Sequence, residues 1–75
     1  MSKYGRLWQQ ASDIRDELKK LVSHASTDTL ADAKRTCGDS VITARDTGDP
    51  SRAHRISDLL ERWEDLEKEM AACDD

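Results

Sequence analysis

Apolar residues recur along residues 4–25 at the spacing of a helix. Tyr4, Ala11, Leu18 and Ala25 take heptad position a, Leu7, Ile14 and Leu21 take d, and Trp8 and Val22 take e. The residues between them are polar or charged, apart from Gly5. This is the stripe of an amphipathic helix, and it predicts helix one over about residues 3–25, with Ser2 as N-cap. Residues 23–29 read Ser-His-Ala-Ser-Thr-Asp-Thr, a run of capping and turn residues. It predicts a break near Ala25 and a restart between Ser26 and Thr29, where Thr29 and Asp32 have capping-box spacing.

Helix two is predicted over residues 29–46, with Leu30, Ala33, Cys37, Val41 and Ala44 as its inner face and Ile42 alongside. Its side chains are small, and Gly38 in mid-helix costs about 1 kcal/mol relative to Ala. A continuous helix with Gly38 as a close packing contact is the expectation. Thr47-Gly48-Asp49-Pro50 is a stop and restart: Gly48 suits the left-handed position after a helix, Asp49 caps the next, and Pro50 takes its first position. Helix three follows over residues 50–72 with the heptad of helix one: Ile56, Trp63 and Met70 at a, Leu59, Leu66 and Cys73 at d, Leu60 at e. Asp74 and Asp75 oppose the macrodipole there, so the tail is expected to fray.

Two short connections imply antiparallel neighbours. The expected architecture is all-α: a short antiparallel three-helix bundle, up-down-up, spanning residues 1–75 as one domain. Helices one and three would run parallel. Cys73 would lie near Val22 and His24, with His24 and His54 at opposite ends. A core this small rarely contributes more than about 3–5 kcal/mol, and helix two offers few large side chains. Self-association as a two-fold dimer through helix one or three is therefore expected.

Composition narrows the function. Of 75 residues, 37% are charged and 36% hydrophobic, with no Phe and one Tyr, which excludes a β sandwich or barrel. No apolar run approaches the ~18 residues of a membrane span, and no secretory signal pattern opens the chain; a cytoplasmic protein is expected. The net charge of −4 hides a gradient: residues 1–25 carry +2, residues 26–50 −2 and residues 51–75 −4. An acidic chain is repelled by phosphate backbones and attracted to basic surfaces.

Catalytic and cofactor signatures are missing. No GxSxG, Walker-type loop or GxGxxG occurs. Cys37 and Cys73 form no CxxC pair, and free thiols are the expectation. His24 with Cys73 is the one pairing that could approach a metal, and no ligand motif supports it. No enzyme activity, cofactor or metal is expected.

The leading reading is an interaction module, an inhibitor, adaptor or regulator of a larger protein, of the kind phages and mobile elements encode to occlude a basic surface. Leu7, Trp8, Leu60 and Trp63 are its candidate apolar anchors. Asp58, Glu61, Glu64 and Asp65 are its candidate acidic contacts. The alternative is a dimeric helical RNA- or DNA-binding regulator using Lys3, Arg6, Arg15, Lys19 and Lys20, which resembles in kind the small acidic plasmid regulators of the Rop type. Separately, Leu59-Leu60-Glu61-Arg62-Trp63-Glu64-Asp65-Leu66 resembles a stretch of spectrin-repeat helix. A spectrin repeat is longer than this whole chain, and nothing of that family is carried over.

Overall fold

A computed structural model describes residues 2–73. Within them lie three helices, α1 (Lys3–Leu21), α2 (Leu30–Asp46) and α3 (Pro50–Ala71), and no strand. The expectation for Asp74 and Asp75 falls outside the described residues.

Three caps form as their residue types dictate. The Ser2 hydroxyl accepts the Gly5 N–H at 3.1 Å, Thr29 accepts Asp32 N–H at 3.1 Å, and Asp49 accepts Arg52 N–H at 3.2 Å. Each satisfies one of the orphan donors of a helix start. α2 ends in a Schellman arrangement: Asp49 N–H donates to Ala44 C=O at 2.7 Å and Gly48 N–H to Arg45 C=O at 3.3 Å, with Gly48 at φ +81°.

α2 is continuous through Gly38, but Gly38 is not a packing contact, because a Cβ built there meets nothing within 4 Å. The two glycines should therefore respond oppositely to alanine. Gly38→Ala is expected to stabilise the fold by about 0.5–1 kcal/mol, by removing unfolded-state entropy. Gly48→Ala is expected to destabilise it by about 1–2 kcal/mol, since an L side chain is strained at positive φ. Urea denaturation of the two variants checks the signs.

α1 stops four residues short of the expected Ala25. Val22 leaves helical geometry at φ −131°, ψ 91° and its side chain is buried. The Ala25 N–H closes a turn on the Val22 carbonyl at 3.0 Å. The low helix propensity of Ser23 to Thr27 and the burial of Val22 and Thr27 together favour an extended path here.

That path changes the architecture. Arg52 donates to the Leu21 carbonyl, Arg55 to the Glu17 carboxylate, and Arg15 sits 5.3 Å above the Trp63 ring. The end of α1 thus meets the start of α3, and the two helices are antiparallel, where a parallel pair was expected. α2 is antiparallel to α3 as well, through the Thr47–Asp49 connection and the Lys34–Glu64 ion pair at 3.1 Å. α1 and α2 consequently point the same way, and the sequence-based up-down-up order does not occur. The short connection misled because extended chain advances up to ~3.3 Å per residue, against 1.5 Å in a helix. Residues 22–29 can recover about the length that the 17 residues of α2 then descend.

No Cα of α1 comes within 8 Å of one in α2. α3 is the central element, and the crossover, residues 22–29, occupies the space a fourth helix would take. Arg15 ties it to α1: Nε donates to Thr27 C=O at 2.9 Å and Nη2 to Asp28 C=O at 2.6 Å. Thr36 ties it to α2: its hydroxyl accepts the Ser26 N–H at 3.1 Å while donating to Asp32 C=O at 2.8 Å. The core is the a/d seam of α1 (Leu7, Ala11, Ile14, Leu18) against Ile56, Leu59, Trp63 and Leu66 of α3. Ala33, Cys37, Val41 and Ala44 of α2 close it from the other side.

Candidate functional site

Two tryptophans on apolar stripes have opposite fates. Trp63, at position a, is 1% exposed and donates from Nε1 to the Glu67 carboxylate at 2.9 Å. Trp8, at position e, is 52% exposed, and Tyr4 one turn earlier is 45% exposed. The reason is geometric. An a/d seam faces one neighbour, whereas an e position needs a second, and among the described residues α1 has only α3 beside it at this end.

Between them opens a cleft of about 600 Å3. Tyr4, Trp8 and Ala11 form the α1 wall, Leu30 begins the opposite wall, and Trp63 with Met70 lines the α3 floor. Leu30 and Met70 are half-buried against the core. The charged groups of the cleft are Arg15, Asp28 and Glu67. The Arg15 guanidinium is turned inward onto Trp63 and the crossover carbonyls, so the carboxylates of Asp28 and Glu67 give the cleft an acidic bias. Tyr4, Leu30 and Met70 were not among the residues singled out from sequence. The signal was present in the heptad letters, since Tyr4 and Met70 are end positions of their stripes.

The other expected anchors are placed differently. Leu7 and Trp63 are core residues, not surface anchors, and Leu60 is half-buried against the core. Of the acidic candidates, Asp58 is bonded to Arg62 at 3.2 Å and Glu64 to Lys34 at 3.1 Å. The bond from Lys34, followed by its charge, holds the Glu64 carboxyl below the usual carboxylate range. The stability this pair contributes is present above the ordinary carboxylate pKa and is lost as pH falls through the depressed one. Glu61 and Asp65 are exposed on the outer side of α3. Asp65 shares a shallow groove with Asp13 and Glu17 of α1.

The basic candidates do not assemble into a track. Lys3, Arg6, Lys19 and Lys20 are exposed on α1, but Arg15 is consumed in holding the crossover. Arg52 and Arg55 of α3 also bond to α1.

Compared with known protein families, with curated proteins and with solved structures, the chain matches none. Among the described residues, no group of three or more His, Cys, Asp and Glu side chains could hold a metal ion. His24 shares a cleft with Arg52 near the start of α3, so it lies at the same end as His54 and far from Cys73. The pairing of His24 with Cys73 considered from sequence is thereby removed, as is the placement of the histidines at opposite ends. Both cysteines are free. Cys37 is buried in the core, and burial pushes its thiol pKa up, opposed by a hydrogen bond from Thr36. No described helix is long and apolar enough to cross a membrane.

Proposed function

We propose that this chain is a non-enzymatic interaction module that binds a larger protein with a basic surface and acts as its inhibitor, adaptor or regulator. One observation carries the reading. A chain with two tryptophans leaves one of them half in solvent, beside a tyrosine, over a cleft of mixed apolar and polar lining with an acidic bias. Tryptophan is the side chain most enriched at binding hot spots, and water exposure of this much aromatic surface has no counterpart in the demands of the fold. The exposed Glu61 and Asp65 add long-range attraction toward a basic partner. Cytoplasmic action as a phage-type accessory protein that occludes such a surface fits this chemistry.

Capture from native cell extract with a high-salt wash tests the reading. Wild type is expected to retain a specific partner that Trp8→Ala loses, with Glu61→Lys/Asp65→Lys slowing its association. Absence of any Trp8-dependent partner defeats the reading.

Self-association is the second reading, supported by the same exposed aromatic surface. It is opposed by charge, since a two-fold pairing of clefts sets Asp28 and Glu67 of both copies against each other. The nucleic-acid reading is disfavoured by the engagement of Arg15, Arg52 and Arg55 in bonds within the chain.

A further inference from the structure

The cleft narrows the chemistry of the partner, an inference that rests on the interaction-module reading above. We propose that it takes a short amphipathic helix of another protein, with apolar anchors on one face and Lys or Arg residues flanking them.

Shape supports a helical occupant. The cleft is the open continuation of the trough between α1 and α2, whose other part the crossover fills. Its floor is α3, and its far wall begins only at Leu30. An element laid there in line with α2 would give the first turns of α1 the second neighbour that Trp8 lacks. Helix-in-groove docking uses apolar anchors at i, i+3, i+4 spacing. Trp8, Tyr4, Leu30 and Met70 offer the matching apolar surface.

Charge sets the flank. Asp28 and Glu67 line the cleft. Among the described lining residues the one cation is Arg15, whose Nε and Nη2 donate to the Thr27 and Asp28 carbonyls and whose guanidinium lies over the Trp63 ring. Two carboxylates to one guanidinium leave the described lining net negative, which opposes an acidic occupant. A second copy of this acidic chain is the same case, which is why the heterologous basic helix is favoured.

Trp8 is also the reporter, because Trp63 is already shielded. The probe is a synthetic Leu/Lys amphipathic peptide of about fourteen residues, roughly four helical turns, with a Leu/Glu peptide of the same pattern as control. Titrated into the full chain, the Leu/Lys peptide is expected to shift the tryptophan emission to the blue and to protect Trp8 from acrylamide. Affinity should fall by about tenfold or more in Trp8→Ala, read by labelled peptide, and in Asp28→Asn/Glu67→Gln. The amide introduced by Glu67→Gln keeps an oxygen for the Trp63 N–H, so that double variant folds. Asp39→Asn/Asp46→Asn, remote from the cleft, should bind unchanged. Equal binding of the Leu/Glu peptide, equal loss in the remote variant, or no change at Trp8 overturns the inference. So does a blue shift of Trp8 on concentrating the protein alone, which would give the cleft to a second copy. A failed peptide with an intact Trp8-dependent capture removes this inference and leaves the module reading standing, whereas loss of that capture removes both.

Discussion

Trp63→Ala is expected to leave the chain unfolded at 25 °C, seen as loss of helical circular dichroism. Trp63 is the largest fully buried side chain among the described residues. Its ring packs in the core, carries the Arg15 guanidinium at 5.3 Å and donates to Glu67. Removing a buried tryptophan costs about 3–5 kcal/mol through lost burial and a cavity. A core of this size contributes about 3–5 kcal/mol in all, so the substitution consumes the whole margin. Trp63→Phe retains the ring face for Arg15 and loses the N–H donor, and should remain folded at a cost of about 1–2 kcal/mol. Trp8→Ala should shift stability by only about 0.5 kcal/mol. A large loss at position 8, with position 63 tolerant, would contradict the placement of the two rings.

Arg15→Ala is the second large effect, expected to cost about 2–3 kcal/mol in urea denaturation. Hydrogen bonds from a charged donor contribute about 1.5–3 kcal/mol, and stacking on an aromatic face adds about 0.5–2 kcal/mol, depending on exposure. Arg15 makes both kinds of contact with one group, and they are not additive. Arg15→Lys should recover less than half of the loss. An ammonium on a flexible stem cannot bridge two successive carbonyls as the planar fork does. The local signature is amide exchange: backbone N–H groups in residues 22–29 should lose protection in Arg15→Ala, while those at the centre of α2 and α3 follow the global stability alone. Unchanged protection at Ser26, whose N–H is held by Thr36, would show that the crossover does not depend on Arg15.

Much of the local structure was readable from residue types. Ser2, Thr29 and Asp49 act as caps, Gly48 takes positive φ, and α2 and α3 begin and end within a residue of expectation. These features depend on neighbours in the chain, so their signals are local. The path of residues 22–29 was not readable, because turn-forming residues say that a helix stops and are silent on where the chain goes next. The assumption that few residues make a tight reversal then inverted the direction of α1 against α3. Arg15 was missed for the same reason. On a lone helix it is a surface cation, and only the crossover carbonyls and Trp63 turn it inward. The division between Trp63 and Trp8 was half legible. Their heptad letters, a and e, separate them, but the exposure of Trp8 beside the cleft belongs to the tertiary arrangement alone.

The antiparallel fit of α1 on α3 also has a consequence in time. During synthesis α1 emerges before α2 and α3, yet its main partner is the last of these three helices to be made. Trp8 and Met70 share one cleft across most of the length of the chain. At ~5–20 residues per second, several seconds pass between their emergence. A single helix of 19 residues is marginal in water, so Leu7, Trp8, Ile14 and Leu18 spend that interval without the surface that later covers or flanks them. Within α2 and α3 the partners are neighbours and can pair as soon as both are out. Of the three helices, the earliest translated is thus the last to find its place, and the nascent chain passes through a stage in which its α1 seam is open to any helper or partner that recognises it.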